Sequence, residues 1–180
     1  MVDGNSTEQI CEWKHNKTTI QEQIKLLAKM TEHIAETTKE PSRIYYSVEN
    51  NTVGEAALVA INEYGEENIN GTFMSETGKK RRGFTTTHKS KIAACAKLKS
   101  LLESGKMKVY SRSLISELKS FISAGDTYKA KQGQHDDLVM SLLLAVRLIQ
   151  VVGEYDIDLD NQMRDFGEII APMPFFAMFS

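Results

Sequence analysis

Short β-rich runs along the chain alternate with longer stretches in which apolar residues recur every three or four positions. Strands are expected at Gln9 to Lys14, Arg43 to Val48, Ile69 to Met74, Lys106 to Tyr110 and Thr127 to Lys131. Helices are expected at Thr19 to Thr37, Val53 to Tyr64, Lys89 to Glu103, Ser113 to Ile122 and Asp136 to about Val152. This alternation predicts an α/β fold, a three-layer sandwich with a central sheet flanked by helices.

Several of these helices carry end signals. Thr19 and Glu22 have the spacing of a capping box, and Thr87 can cap the helix that follows it. Gly65 and Gly105 follow predicted helices and are expected to end them. The last helix is apolar on nearly every side, so we expect it to be buried against the sheet.

The chain has 180 residues, of which 41% are apolar and 26% charged, enough for one domain with a buried core. We place that domain at residues 1–152. Residues 153–180 form a tail, acidic at first and then apolar with prolines, which is expected to be mobile or to dock on a partner.

Cysteine usage and hydropathy bear on the compartment. The two cysteines, Cys11 and Cys95, have no spacing typical of a zinc site or a disulfide framework, which favours a reducing cytoplasm. The sequence shows no stretch as long as a membrane span and no signal-peptide pattern at its amino terminus. We therefore expect a protein that is neither membrane-bound nor secreted.

Glu49 is the first candidate for chemistry, because it directly follows a predicted strand. Functional groups of α/β proteins collect beyond the carboxyl ends of strands. The alternative is a solvated glutamate at a strand end, with or without a role as cap of the next helix. Asn50, Asn51 and Thr52 follow it, and short amide and hydroxyl side chains of this kind can orient a carboxylate or hold a metal-bound water.

Asp136 and Asp137 stand side by side, after His135, at the start of the apolar last helix. Aspartate is favoured at helix starts, so one of the two can serve only as a cap. A second carboxylate at a buried helix start calls for a cation, and hard oxygen ligands indicate magnesium or manganese. His135 is then a hydrogen-bond donor beside the site or a phosphate contact.

A basic loop is the third signal, and it is hidden by the formal net charge of −2. Glycines flank four cations, and threonines then lead into a helix start that carries further cations. This layout is typical of phosphate binding, although a charge run is also compatible with a solvated loop. The candidate DNA-binding residues are Lys79, Lys80, Arg81, Arg82, Thr86, His88, Lys89 and Lys91.

Four motifs in order carry a family resemblance. They are Val48-Glu49-Asn50-Asn51-Thr52-Val53-Gly54, Gly83-Phe84-Thr85-Thr86 with Ser90-Lys91, Lys97-Leu98-Lys99-Ser100-Leu101-Leu102, and His135-Asp136-Asp137-Leu138-Val139-Met140-Ser141. Over roughly Gln9 to Gln150 the chain resembles the nuclease domain of the terminase large subunit of tailed phages, most like that of T-even-type myoviruses.

The resemblance implies an RNase H-like fold with a mixed central sheet and a metal-dependent endonuclease that cuts concatemeric viral DNA during genome packaging. It implies three acids that hold two Mg²⁺ or Mn²⁺ ions, with Glu49 the middle acid and Asp137, or otherwise Asp136, the last. The implied partners are double-stranded DNA, the terminase ATPase domain, the portal and the small terminase subunit. The implied location is the host cytoplasm, at the procapsid.

The chain departs from the family pattern in two ways. The family's first catalytic aspartate lies on a strand that precedes Gln9, which this sequence is expected not to contain in full, and Asp3 is not a substitute. The sequence also has no Gly-x-x-x-x-Gly-Lys-Ser/Thr phosphate loop. A catalytically incomplete DNA-binding or assembly fragment is therefore the alternative, and a recombination nuclease of the same fold is a third hypothesis.

Overall fold

The structure is a computed structural model that describes residues 6–155 and 175–178. Its helices are α1 (Ile20–Thr38), α2 (Thr52–Tyr64), α3 (His88–Glu103), α4 (Arg112–Ser120) and α5 (Asp137–Tyr155). Its strands are β1 (Thr7–Glu8), β2 (Tyr45–Val48), β3 (Thr72–Phe73), β4 (Met107–Lys108), β5 (Phe121–Ala124), β6 (Thr127–Ala130) and β7 (Phe175–Met178). Two 3₁₀ turns, Pro41–Arg43 and Glu66–Asn68, precede β2 and β3.

The predicted helix starts are largely confirmed. Thr19 forms a capping box with Glu22 at α1, and Thr87 caps α3 by accepting a hydrogen bond from the Ser90 amide. Gly65 follows α2 with a positive φ of 90°. Helix α5 continues to Tyr155, past the expected domain boundary after residue 152. Local capping chemistry therefore determines where these helices begin.

The predicted strand at Gln9 to Lys14 is wrong. Strand β1 is only Thr7–Glu8, and residues 9–15 have no regular structure. The pairing with β4 ends because the Gln9 side chain accepts hydrogen bonds from the Tyr110 and Ser111 amides, at 3.2 and 3.0 Å. Beyond Gln9 the described residues offer this segment no strand to pair with.

The predicted helix at Ser113 to Ile122 is wrong at its end. Helix α4 stops at Ser120, and Phe121 begins a β5–β6 hairpin in which it pairs with Ala130. Phe121 stacks near Tyr128, with 6.1 Å between ring centroids. Cross-strand aromatic packing of this kind outweighs the helical spacing of the apolar residues.

The described strands form three small sheets. Strands β3, β2 and β7 form a parallel sheet with β2 in the middle, β1 pairs with β4, and β5 pairs with β6. The expected three-layer sandwich around one mixed sheet is thus not confirmed, although the mixture of helices and strands fits an α/β fold. In the tail expected at residues 153–180, β7 pairs with β2, and residues 156–174 lie outside the described part.

Strand β2 separates two parts of the core. On one face Tyr45 packs with Phe84 and with Leu144, Leu148 and Val152 of α5. On the other face Tyr46 and Val48 pack against α1 and α2. The remaining face of α5 packs against α3 and α4, so the expected burial of α5 is confirmed. This packing fixes the end of β2 and the start of α5.

Tyr46 gives a stability prediction. Its side chain is fully buried, its hydroxyl has no hydrogen-bond partner among the described residues, and burial raises its pKa to about 12. Tyr46→Phe keeps the ring contact with Phe73 and removes an unsatisfied hydroxyl. We expect the free energy of unfolding to rise by about 1 kcal/mol in urea denaturation. Tyr128→Phe on exposed β6 is the control. A loss of stability in Tyr46→Phe would show that the Tyr46 hydroxyl has a hydrogen-bond partner, and would contradict the prediction.

Candidate active site

A cleft of about 480 Å³ lies between residues 7–16, α1 and the first half of α5. Glu49, Asn51 and Asp137 all line it, together with Lys14. Glu49 follows β2 and Asp137 begins α5, so the fold brings together two carboxylates that are far apart in the sequence. The mixed lining, which combines carboxylates with apolar residues of α5, is typical of a binding cleft.

Glu49 is held in place by backbone pairing. Phe84 forms a parallel bridge with it, in which the Phe84 amide donates to the Val48 carbonyl at 3.0 Å and the Asn50 amide donates to the Phe84 carbonyl at 2.6 Å. Both neighbours of Glu49 are therefore fixed. The Asn50 side chain is buried and donates to the Arg82 carbonyl at 2.9 Å, which attaches the basic loop to the same strand end.

Asn51 has two roles at once. Its side-chain oxygen accepts hydrogen bonds from the Val53 and Gly54 amides, so it is the cap of α2. Its amide nitrogen donates to Glu49 Oε2 at 3.0 Å. Asn51 therefore caps the helix in place of Glu49, which leaves the Glu49 carboxylate oriented in the cleft. This disfavours the alternative in which Glu49 is only a helix cap.

Asp136 and Asp137 turn towards different cations. Asp137 Oδ2 lies 2.8 Å from Lys14 Nζ, in the cleft. Asp136 Oδ2 lies 4.0 Å from Lys91 Nζ of α3, and its carbonyl accepts the Met140 amide. Asp137 thus shares the cleft with Glu49, whereas Asp136 is the residue just before the helix and faces Lys91 of α3. His135 is exposed in the turn before α5.

Glu117 of α4 is a site residue that the sequence analysis missed. Its Oε2 accepts hydrogen bonds from the Leu138 and Val139 amides, at 2.7 and 3.3 Å, so it caps α5 from another helix. Its Oε1 lies 3.1 Å from Lys14 Nζ. Lys14 therefore has two carboxylate neighbours, since it also lies 2.8 Å from Asp137. Asp137 makes the larger contribution to raising the pKa of Lys14, and Glu117 adds to it.

Removing this cap should destabilise α5. Glu117→Ala leaves the Leu138 and Val139 amides without their acceptor, and we expect it to lower the free energy of unfolding by about 1 to 2 kcal/mol. Glu117→Gln keeps an acceptor and should lose less. Urea denaturation checks both, with Glu103→Ala, on the exposed end of α3, as the control. Equal losses for Glu117→Ala and the control would exclude the capping role.

The predicted DNA-binding residues divide into two groups. Arg81 pairs with Glu55 at 3.9 Å, Arg82 pairs with Glu66, and His88 lies 3.6 Å from Asp126. Lys91 faces Asp136 and lies over the ring of Phe121. By contrast, Lys79, Lys80 and Lys89 are exposed without an acidic partner among the described residues, and Thr86 is partly buried.

Arg147 of α5 is a second residue that the sequence analysis missed. It is buried, lies 3.2 Å from Glu76, donates to the Thr85 carbonyl and stacks over Phe84. Burial lowers its pKa, and the carboxylates of Glu76 and Glu49 oppose that shift. It therefore ties the base of the basic loop to α5. A single arginine in an apolar helix was the signal available in the sequence.

The donor set is suited to a hard divalent cation. Among the described residues no group of three or more His, Cys, Asp or Glu side chains is close enough to hold a metal ion. Magnesium, however, keeps several waters and is commonly held by one or two carboxylates together with substrate phosphates. Glu49 and Asp137, which both line the cleft, are two carboxylates of the kind that such a site uses.

A comparison with protein families decides the relationship. The model of the terminase RNaseH-like domain family matches residues 2–147, most of the chain. The chain belongs to this family. The resemblance to a terminase nuclease domain is thereby confirmed, as is its RNase H-like assignment, while the likeness to T-even-type phages and the incomplete first strand stay predictions. In the described part of this terminase domain, no helix is long and apolar enough to cross a membrane.

Proposed function

We propose that this terminase domain is a metal-dependent endonuclease that cuts concatemeric viral DNA during packaging. The observation that carries the proposal is the shared cleft of Glu49 and Asp137, on two separate elements of an RNaseH-like terminase domain. Asn51 orients the Glu49 carboxylate, Asp137 lies in the same cleft at the start of α5, and neither acid is used as a helix cap. Oriented carboxylates in a cleft are what a phosphodiesterase needs to hold Mg²⁺ or Mn²⁺.

Each residue of the site has a distinct task in this proposal. Glu49 and Asp137 would hold the cation, and Asn51 keeps the Glu49 carboxylate facing the cleft. A bound divalent cation supplies Lewis-acid polarisation of the scissile phosphate and a more acidic attacking water. The two ions that the family resemblance implies need further ligands, and Asp136 is a candidate only if it leaves Lys91.

The basic loop would position the DNA backbone. Lys79 and Lys80 are the exposed cations at its tip, and Lys89 extends the positive charge to the start of α3. Arg81 and Arg82 face acids of the domain, Glu55 and Glu66, and are therefore less available to DNA. Contacts of lysines with phosphates are independent of base sequence and weaken steeply with salt. We propose the terminase ATPase domain, portal and small subunit as partners, at the procapsid.

Incubation with supercoiled plasmid in Mn²⁺ tests the proposal. Nicked and linear DNA that EDTA prevents would support the endonuclease, since cleavage would then depend on a divalent cation. Salt-sensitive binding to a duplex, measured by fluorescence anisotropy, without any cleavage would favour the alternative, a catalytically incomplete DNA-binding or assembly module. If the folded protein neither bound nor cleaved DNA, both the endonuclease and the DNA-binding alternative would be contradicted.

A further inference from the structure

Lys14 occupies an unusual place in the cleft. Its ammonium lies 2.8 Å from Asp137 Oδ2 and 3.1 Å from Glu117 Oε1. It belongs to residues 9–15, which have no regular structure, and 46% of its side chain is exposed. A cation therefore already contacts the carboxylate that the proposed function assigns to a metal ion.

An ammonium and a divalent cation compete for the same carboxylate oxygen, because both gain their energy from its negative charge. Lys14 lines the cleft together with Glu49 and Asp137, and its ammonium lies against the Asp137 carboxylate. We propose that Lys14 is a built-in counter-ion, which must leave Asp137 before a divalent cation binds and so lowers the metal affinity of the site. This inference rests on the proposed function, since it requires that Asp137 be a metal ligand.

The structure also provides a place for the displaced ammonium. Glu117 Oε2 is fixed by the amides at the start of α5, so Glu117 Oε1 stays in place when Asp137 is taken by a metal. Lys14 can then keep its contact with Glu117 alone. The exchange needs only a rotation of an exposed lysine side chain, which has a low cost in a segment without regular structure.

Titration with Mn²⁺ alone, followed by loss of the free-ion electron paramagnetic resonance signal, tests this without any cleavage assay. Lys14→Gln should bind Mn²⁺ about twofold to fivefold more tightly than the wild-type chain, the range expected for losing a half-exposed ion pair. Lys14→Arg, which keeps the charge, should stay near the wild-type affinity. Lys17→Gln, which removes a charge from the same exposed segment, is the matched control.

Two further variants separate the possible failures. If Asp137→Asn and Glu49→Gln bind Mn²⁺ as tightly as the wild-type chain, the proposed metal site itself is wrong. If both lose the ion while Lys14→Gln is unchanged or weaker, only the counter-ion role is overturned. If Lys17→Gln raised the Mn²⁺ affinity as much as Lys14→Gln, the effect would come from net charge alone, and the counter-ion role of Lys14 would also be overturned. Circular dichroism of each variant verifies that the fold is retained.

Discussion

Glu49→Gln and Asp137→Asn are each expected to lower Mn²⁺-dependent plasmid cleavage by more than about a hundredfold, because a direct metal ligand should matter more than the groups that orient it. Both substitutions keep the size of the side chain and remove its charge. Glu49 caps no helix, and among the described residues Asp137 forms an ion pair only with the exposed Lys14, so the fold should be preserved. Duplex binding in EDTA should change little.

Initial cleavage rates at several Mn²⁺ concentrations measure this effect. Glu36→Gln, on the exposed face of α1, is the matched control and should leave the rate unchanged. Asp136→Asn should reduce the rate less than Asp137→Asn, since the Asp136 carboxylate faces Lys91 and not the cleft. Full activity of Glu49→Gln or Asp137→Asn would exclude that residue as a ligand, and equal losses at Asp136 and Asp137 would mean that both take part.

The two acids could be predicted from the sequence because each stands next to a recognisable element end. Glu49 follows a β-rich run, and Asp137 stands at the start of a helix whose apolar residues are evident. Glu117 and Lys14 could not be found in this way. Glu117 acts across 21 positions on the start of another helix, and Lys14 ends a segment whose expected strand does not form. Contacts made through tertiary packing leave no local signal.

The same distinction applies to the fold. Helices with caps, such as α1 and α3, follow from neighbouring residues and were predicted within a few positions. Strands depend on partners distant in the chain. The strand expected at Gln9 to Lys14 therefore does not form, and β1 ends at Glu8. The pairing of β2 with β7 has no signal in the sequence. Sheet order was therefore the least predictable property of this chain.

Gly54→Ala is expected to lower the free energy of unfolding by about 3 kcal/mol or more, and to reduce cleavage with it. A Cβ at position 54 would lie 1.6 Å from the Glu49 carbonyl oxygen, which no real contact allows. Helix α2 must then move away from the end of β2. The hydrogen bond from the Gly54 amide to Asn51, and with it the Asn51 contact that orients Glu49, would be disturbed.

The sign of this effect is decisive, because alanine is a better helix former than glycine by about 1 kcal/mol. At an open helical position the substitution would therefore stabilise the protein, and only the close approach to Glu49 turns the gain into a loss. Gly105→Ala is the control, since its Cβ would meet nothing within 4 Å and its φ of 69° adds only a left-handed backbone cost of about 1 kcal/mol. Urea denaturation and Mn²⁺ titration of both variants give the comparison. Suppose instead that Gly54→Ala were as stable as the wild-type chain and bound Mn²⁺ equally well. Then α2 could not approach Glu49 this closely, and the proposal that Asn51, the cap of α2, orients the Glu49 carboxylate would be wrong.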